Sequence, residues 1–467
     1  MDKAGAEPMN GVIIELQKVL DSRGVLLGED VALRQASWAG GSCEAAAIVC
    51  PRTTDEVSAV LRICHTAGQP VVPQGGQTSV VGGSLSKINE IVLSLERMAG
   101  IEELDEANRS MIVQAGIPLQ TVQEEAEASG LMFAVDFTVR GSATIGGIIA
   151  TNAGGNRVIR YGMTREQIMG IEAVLADGTV VSSLGKAIKN NAGYDIKQLF
   201  IGSEGTLGII TRAVLRLRPL MHTQNTALAA VSNFNSLVRL LKAMDHSLGG
   251  NLSAFEVMWN SFYRVVSPAP GRTQVPLGWE HSYYVLIEAT GSEQESDAAR
   301  FQQVLTDAIA NGLVADAVVA KSGAERGDLW AIRENVDVLP SLQPLFAFDV
   351  SLAIGEMDGY VEEVRGKIKA QWPNCRFLVM GHLGDGNIHI FISVGSDAPS
   401  ERSKVEEVVY ASLQSRKGSI SAEHGIGREK REHLHYSRTA SELSLMRTLK
   451  QTLDPQGILN PGKVILP

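Results

Sequence analysis

Three glycine-rich segments in the first half of the chain constrain its fold most strongly. They are PQGGQTSVVGGS from Pro73, RGSATIGGIIATNAGGN from Arg140 and IGSEGTLGIIT from Ile201, and each combines Gly with Ser or Thr and small apolar residues. Glycine permits tight turns and the close approach of backbone N–H groups to a ligand phosphate. A single Gly pair usually marks an ordinary turn, but three such segments together predict a buried, extended ligand that carries phosphate.

Two common nucleotide-binding motifs do not account for these segments. The sequence has no GxGxxG after a predicted strand and no GxxxxGK[ST], which disfavours a Rossmann or Walker A site.

The net charge bears on nucleic-acid partners. The 42 Lys and Arg residues against 52 Asp and Glu give a net charge of −10, whereas a nucleic-acid-binding domain normally has a basic face. We therefore expect no nucleic-acid partner.

The cysteines and the N-terminus bear on location. The four Cys residues form no CxxC pair, which argues against an iron–sulfur cluster or a zinc ribbon, and so few Cys favour a reducing compartment. The N-terminus lacks the apolar core of a signal peptide, and no apolar run reaches the roughly 18 residues of a transmembrane helix. The sequence predicts a cytoplasmic protein without a transmembrane segment.

Hydrophobic patterns divide the chain into three parts. In the first part, Thr53 and Glu56 predict a capped helix that ends at Gly68 between two strands. From about 221, strands alternate with long helices, which is typical of an antiparallel α+β domain. We predict an α+β protein with domains at 1–220, 221–415 and 416–467, the last a C-terminal helical segment.

The segment FLVMGHLGDGNIHIFISV predicts a β-hairpin with Asp385 and Gly386 at its tip. That turn would place His382 directly opposite His389, at a spacing that suits two nitrogens on one metal ion. A third ligand is then needed, and SAEHGIG offers Glu423, with His424 beside it. The alternative is that one of these histidines is a hydrogen-bonded core residue.

The glycine-rich segments, together with RYGM, resemble the FAD-binding domain of the vanillyl-alcohol oxidase superfamily, the PCMH type, over about residues 40–218. The resemblance implies a domain of two α+β subdomains whose loops bind FAD. Relatives with covalent flavin often have a His where this chain has Gln77, so the resemblance implies non-covalent FAD. The implied FAD contacts are Pro73, Gly75, Gly76, Gln77, Thr78, Ser79, Gly83, Ser84, Gly141, Ser142, Thr144, Gly147, Asn152, Ala153, Gly205 and Ile209.

With EHGIG and DPQGILNPGK, the hairpin resembles the metal-dependent D-2-hydroxyacid dehydrogenase branch of the FAD-linked oxidases. The match then covers about residues 40–465. It implies a divalent metal, usually zinc, at His382, His389 and Glu423. It also implies that His424 is the catalytic base and that Asn460 approaches the flavin. A bound metal would lower the pKa of a substrate hydroxyl, so that a neutral imidazole could remove its proton.

The substrate's side chain is left open by the sequence. Arg333 is a candidate for binding a carboxylate, and the alternative is a surface salt bridge with Glu334 or Asp337. Relatives that oxidise 2-hydroxyglutarate also have an Arg here, but they have a hydroxyl residue at Asp337, a Lys at Ala347 and a polar amide at Phe391. We expect a D-2-hydroxy acid, either D-2-hydroxyglutarate or one with a shorter or apolar side chain, such as D-lactate or 2-hydroxybutyrate.

Electrons from the reduced flavin need an external acceptor, because the sequence has no cluster motif. An electron-transfer flavoprotein, a quinone and a cytochrome all remain open as acceptors, and a homodimer remains open as the oligomeric state.

Three other functions would each use only part of these motifs. A zinc hydrolase could use His382, His389 and Glu423 but leaves the glycine-rich segments unexplained. A metal-free flavin oxidase or synthase would not need the histidine pair, and a non-catalytic electron-relay subunit would not need the metal ligands.

Overall fold

The computed structural model describes residues 3–37, 40–268 and 275–466. Its α-helices are α1 (Lys3–Val19), α2 (Glu29–Ala32), α3 (Thr54–Ala67), α4 (Leu119–Ala128), α5 (Ile145–Thr151), α6 (Val158–Tyr161), α7 (Lys197–Phe200), α8 (Phe234–Ser247), α9 (Asn260–Val266), α10 (Gln294–Ala310), α11 (Gly323–Arg333), α12 (Met357–Gln371), α13 (Pro399–Gln414) and α14 (Ala440–Leu453). Short 3-10 helices span Thr164–Gln167, Val336–Leu342, Ile354–Glu356, Leu383–Asp385 and Arg431–Tyr436. Among the described residues, no helix combines the length and apolarity needed to cross a bilayer.

The strands are β1 (Val25–Leu26), β2 (Gln35–Ser37), β3 (Gly40–Ser42), β4 (Ala47–Val49), β5 (Val71–Gln74), β6 (Ile91–Ser94), β7 (Ile101–Asp105), β8 (Ser110–Gln114), β9 (Leu131–Met132), β10 (Ile168–Val174), β11 (Val180–Ser183), β12 (Ile209–Arg216), β13 (Arg218–Pro219), β14 (Thr223–Val231), β15 (Leu252–Trp259), β16 (Tyr283–Gly291), β17 (Asp316–Val319), β18 (Phe346–Ser351), β19 (Arg376–His382) and β20 (Asn387–Ser393). The chain divides into two compact units. Unit 1 contains residues 1–155, 162–220 and 423–467, and unit 2 contains residues 156–161 and 221–422.

Unit 1 contains two main sheets that share one hydrophobic core. The first has the order β1-β4-β6-β5, and β4 and β5 both run parallel to β6. Helix α3 makes the crossover between β4 and β5. The Thr53 side chain accepts a hydrogen bond from the Glu56 N–H, and the helix ends at Gly68 with φ +62°. The helix predicted from Thr53, Glu56 and Gly68 is therefore confirmed.

The second sheet of unit 1 is antiparallel, in the order β11-β10-β12-β8-β7. Buried apolar residues of both sheets belong to one core, which also includes Leu459 near the C-terminus. Leu459 forms a β-bridge with Val71, and the Asn460 N–H donates to the Val71 carbonyl. The C-terminal segment is thus fixed against the strand that leads into the first glycine-rich segment.

Unit 2 is built on a seven-stranded sheet in the order β17-β14-β16-β15-β19-β20-β18. Every neighbouring pair is antiparallel, which confirms the predicted antiparallel α+β domain. One face of this sheet carries Met258, Leu286 and Met380, and these pack with residues of α9 and α11 in one apolar cluster. Polar side chains that interrupt this apolar face form the candidate site in unit 2.

Candidate active site

The glycine-rich segments of unit 1 surround a cavity of about 430 Å³, a volume typical of sites for small molecules and cofactors. Among the predicted FAD contacts, Gly141, Ser142 and Asn152 are not part of its lining. The others line it together: Pro73, Gly75, Gly76, Gln77, Thr78, Ser79, Gly83, Ser84, Thr144, Gly147, Ala153, Gly205, Ile209 and Asn460. The structure therefore places three segments that span more than a hundred residues of the chain, together with Asn460, around one cavity.

The first two segments pack backbone against backbone at this cavity. A Cβ atom on Gly76 would lie 1.8 Å from the carbonyl oxygen of Ser142, and one on Gly75 would lie 2.4 Å from the Thr144 hydroxyl. The backbone of Ser142 therefore packs directly against the backbone of Gly76. Within the described residues, the buried Thr144 hydroxyl and the Asn460 amide oxygen have no hydrogen-bond partner. A glycine cradle lined by unsatisfied polar atoms fits a ligand such as FAD, which offers hydrogen-bonding groups along its length.

Two asparagines among the predicted contacts have different surroundings. Asn152 ends α5 with φ +50°, and its side-chain oxygen accepts a hydrogen bond from the Arg165 N–H at 2.9 Å. Asn460 lines the cavity, and its Nδ2 donates to the carbonyl oxygens of Gly83 and Glu204 at 3.2 and 2.7 Å. Asn460 therefore ties the C-terminal segment to two of the glycine-rich segments.

Glu423 and His424 line the same cavity of unit 1 as the predicted FAD contacts. The Gly155 N–H donates to Oε1 of Glu423 at 2.9 Å. A Cβ on Gly154 would lie 2.6 Å from that oxygen, so glycine leaves room for the carboxylate. The second glycine-rich segment thus positions the carboxylate that the sequence predicts to be a metal ligand.

Glu204 was not predicted from the sequence, yet it anchors the loop that follows Glu423. It is buried, and its two carboxylate oxygens accept hydrogen bonds from the N–H groups of Ile426 and Gly427 at 2.7 and 2.8 Å. Burial raises the pKa of Glu204, although the two N–H groups and Lys430 act in the opposite direction. The sequence feature that could have indicated Glu204 is its position as a lone acid within the apolar, glycine-rich segment IGSEGTLGIIT.

The histidine hairpin of unit 2 differs in register from the prediction. The turn consists of the 3-10 helix Leu383–Asp385 followed by Gly386 at φ +87°. His382 therefore lies opposite Asn387, and His389 lies opposite Met380. The predicted direct pairing of His382 with His389 is wrong. Because the shift is two residues, both imidazoles still lie on one face, with ring centroids 5.5 Å apart.

His382, Glu256 and Arg333 form a buried cluster on that face. Nδ1 of His382 lies 2.7 Å from Oε1 of Glu256, and Nε of Arg333 donates to Oε2 of Glu256 at 2.8 Å. Nη2 of Arg333 also lies 3.2 Å from Nε2 of His382. Burial raises the pKa of Glu256, but its contacts with His382 and Arg333 outweigh that effect and lower the pKa overall. Arg333 is thus a buried partner of Glu256, and the alternative of a surface salt bridge is wrong.

Asp349 lies near the other histidine of unit 2. This fully buried carboxylate accepts hydrogen bonds from Nδ2 of Asn387 at 2.7 Å and from the Ala422 N–H at 3.1 Å. Nδ1 of His389 lies 3.9 Å from Oδ1 of Asp349. Ala422 is the last residue of unit 2 before the chain continues into Glu423. Glu256 and Asp349 were both missed from the sequence, although each is an isolated acid in an apolar strand.

The positions that bear on the substrate's side chain also lie in unit 2. Ala347 is opposite Phe391 in the sheet, and the Phe391 ring stacks on Phe262 with centroids 6.0 Å apart. The side chain of Asp337 lies outside the part that the structure describes. These two neighbours of Phe391, Ala347 and Phe262, are both apolar.

The donor groups of the predicted metal ligands fit a divalent ion. Two imidazoles and a carboxylate are a common ligand set for zinc. The Glu256 carboxylate at Nδ1 of His382 is the kind of partner that metal-binding histidines typically have. His382 and His389 belong to unit 2 and Glu423 to unit 1, so the common site remains a prediction.

Comparisons with known proteins show what this chain resembles. Residues 45–183 match the family described as "FAD binding domain", and residues 220–464 match "FAD linked oxidases, C-terminal domain". The D-2-hydroxyglutarate dehydrogenase of Xanthomonas citri pv. viticola is 38% identical, covering 90% of this chain and 89% of the relative. The mitochondrial D-2-hydroxyglutarate dehydrogenase of Bos taurus is 37% identical, covering 96% and 82%.

A solved structure of p-cresol methylhydroxylase with bound substrate has the same fold. It is 15% identical, with a TM-score of 0.76, and the alignment covers 98% of this chain and 97% of that one. The oxidase-domain match covers more than half of the chain, and the relatives are similar along nearly its whole length. The resemblance drawn from the sequence is confirmed: this protein belongs to the FAD-linked oxidase family.

Proposed function

We propose that this protein is an FAD- and metal-dependent dehydrogenase that oxidises a D-2-hydroxy acid to the 2-oxo acid. D-2-hydroxyglutarate, D-lactate and related compounds are the candidate substrates. The observation that carries the proposal is that His424 and Glu423 line the same cavity as the glycine-rich segments. A base and a metal-binding carboxylate beside a cofactor cavity are the groups that this oxidation needs. The similarity to D-2-hydroxyglutarate dehydrogenases supports the choice of reaction.

The residues that would hold the two cofactors are different. Backbone N–H groups of the glycine-rich segments and the Thr144 hydroxyl would bind FAD non-covalently, and His382, His389 and Glu423 would bind the metal, most simply Zn²⁺. When bound, FAD supplies the hydride acceptor and the metal lowers the pKa of the substrate hydroxyl.

The chain's own residues then have distinct roles. His424 would remove the hydroxyl proton as general base, because a neutral imidazole can accept a proton near neutral pH. Arg333 would bind a substrate carboxylate through N–H groups that remain beside its bond to Glu256. Asn460, which is bonded to Gly83 and Glu204, would hold the C-terminal segment at the flavin. An external electron-transfer flavoprotein, quinone or cytochrome would reoxidise the flavin.

A reduction screen tests this function. The purified protein is mixed without oxygen with paired D- and L-2-hydroxy acids of varied side chain, and bleaching of the flavin absorbance is followed. We expect bleaching by D-isomers only, with loss of that activity after chelation and recovery with zinc. A colourless protein that hydrolyses esters or amides would indicate a zinc hydrolase instead. Substrate oxidation that survives complete metal removal would indicate a metal-free flavin oxidase.

A further inference from the structure

Glu256 occupies an unfavourable place for a carboxylate. It lies in the middle of β15, whose eight residues are all buried, and its own exposed fraction is 1%. Removing a charge from water costs several kcal/mol unless partners compensate for it. A hydrophobic residue at this point of the sheet would avoid that cost, so the partners of Glu256 indicate what the carboxylate does.

Those partners are two of the residues assigned to the reaction. One carboxylate oxygen, Oε1, lies 2.7 Å from Nδ1 of His382, and the other, Oε2, accepts from Nε of Arg333 at 2.8 Å. An imidazole that donates Nδ1–H to a carboxylate is held as the tautomer whose lone pair is on Nε2. The same contact fixes the rotation of the ring about its χ angles. Glu256 thus makes Nε2 the acceptor nitrogen of His382, and Nη2 of Arg333, held by the same carboxylate, lies 3.2 Å from that nitrogen.

We propose that Glu256 is a positioning residue that prepares His382 to bind the metal through Nε2 and holds Arg333 beside it. This inference rests on the metal site of the proposed function. It goes further because it gives Glu256 an effect on metal affinity, although Glu256 itself would bind neither metal nor substrate. Each carboxylate oxygen serves one donor, so a side chain with a single oxygen can satisfy only one of them.

The main variant is Glu256→Gln in the full-length, FAD-loaded protein. The amide has one acceptor oxygen for two donors, so either His382 or Arg333 would face an N–H group. We expect the zinc affinity, measured by competition with a chromogenic chelator, to fall about 10- to 100-fold, as is typical when a partner of a metal-binding histidine is removed. FAD content is measured in the same samples and should be unchanged, because Glu256 does not line the cavity of unit 1.

Two control variants separate positioning from disruption of the sheet. Glu288, on the adjacent strand β16, is also buried, but its carboxylate bonds to neutral donors of Thr226 and Trp330. Glu288→Gln should leave zinc affinity unchanged. Arg333→Gln breaks the same buried ion pair as Glu256→Gln but leaves the contact between Glu256 and His382 intact. It also removes the guanidinium whose Nη2 lies 3.2 Å from Nε2 of His382, so its zinc affinity should be no lower than that of the wild type even if its thermal stability falls as much.

The outcomes are distinct. A zinc affinity in Glu256→Gln equal to that of the wild type would overturn the inference while leaving the proposed function in place. An equal loss in Glu256→Gln and Arg333→Gln would also overturn it, because the effect would follow the ion pair and not the His382 contact. Failure of the wild-type protein to bind zinc would overturn the metal site of the proposed function and the inference with it.

Discussion

Replacing Gly76 with alanine tests whether the contact between the first two glycine-rich segments builds the cofactor site. The new Cβ would lie 1.8 Å from the Ser142 carbonyl oxygen and 2.7 Å from its carbonyl carbon, whereas real Cβ atoms essentially never approach within 3.0 Å. The backbone must therefore move by about 1.2 Å. Overpacking commonly costs 1–3 kcal/mol, and we take about 3 kcal/mol because the obstacle is backbone. At roughly 2–4 °C per kcal/mol, the Tm of the FAD-free protein would fall by roughly 6–12 °C.

Gly141→Ala in the neighbouring segment is the matched control. Its Cβ would approach only the side-chain oxygen of Gln120, at 3.2 Å, and that flexible side chain can turn away. We expect little change in its Tm and full retention of FAD after gel filtration. In Gly76→Ala the displaced segment should weaken FAD binding, because any part of that cost which the FAD-free protein avoids by relaxing is paid on binding instead. The full 3 kcal/mol would correspond to about a 100-fold rise in Kd. If Gly76→Ala matches Gly141→Ala in both Tm and FAD content, the two segments do not form a cradle.

Further variants test the remaining assignments. His424→Ala should retain FAD but lose flavin reduction by substrate, and normal single-turnover reduction would refute its role as base. Arg333→Gln should impair dicarboxylic 2-hydroxy acids more than lactate, and an equal loss of kcat/KM for both would exclude binding of a distal carboxylate. Burial lowers the pKa of Lys463 to about 8, so the unfolded chain binds a proton that the folded one releases. The free energy of unfolding of the wild type, measured relative to that of Lys463→Met, should therefore rise between about pH 8 and 10. Burial raises the pKa of the Cys64 thiol to about 12, so a disulfide reagent should modify the less buried Cys375 well before Cys64 in the folded protein, and equal rates would refute that burial.

The hairpin shows how far a local pattern determines a site. Alternation along the two strands places the histidines on one face, and the structure agrees. The length of the turn was not determined in the same way, because an Asp–Gly pair fits both a two-residue turn and the end of a longer one. Here the Asp385 side chain accepts a hydrogen bond from the Asn387 N–H at 3.1 Å, and Gly386 adopts φ +87°. The added residues shift the register by two, which preserves the face but not the pairing.

The missed residues have a common physical cause. Glycine-rich segments can be recognised locally, because their backbone geometry depends on neighbouring residues. The carboxylates cannot, because their partners are distant in sequence: Glu256 bonds to Arg333, 77 residues away, and Glu204 bonds to the N–H of Ile426, 222 residues away. A sequence shows an acid in an apolar strand, but only the fold shows which donor it meets.

Burial of an acid alone does not mark a functional residue in this protein. Glu288 is as buried as many site residues, yet its described partners Thr226, Ser253 and Trp330 are neutral donors of its own sheet and covering helix, so its contacts can be purely structural. Glu204 and Glu256 differ because each bonds to groups that adjoin or carry the expected chemistry: the loop after His424 in one case, and His382 with Arg333 in the other. Since a paired buried charge is often no more stabilising than a well-packed hydrophobic residue, stability alone gives little reason to place a carboxylate in β15. What the carboxylate provides there is a fixed orientation for two other side chains, and comparing Glu256→Gln with Glu288→Gln measures the difference.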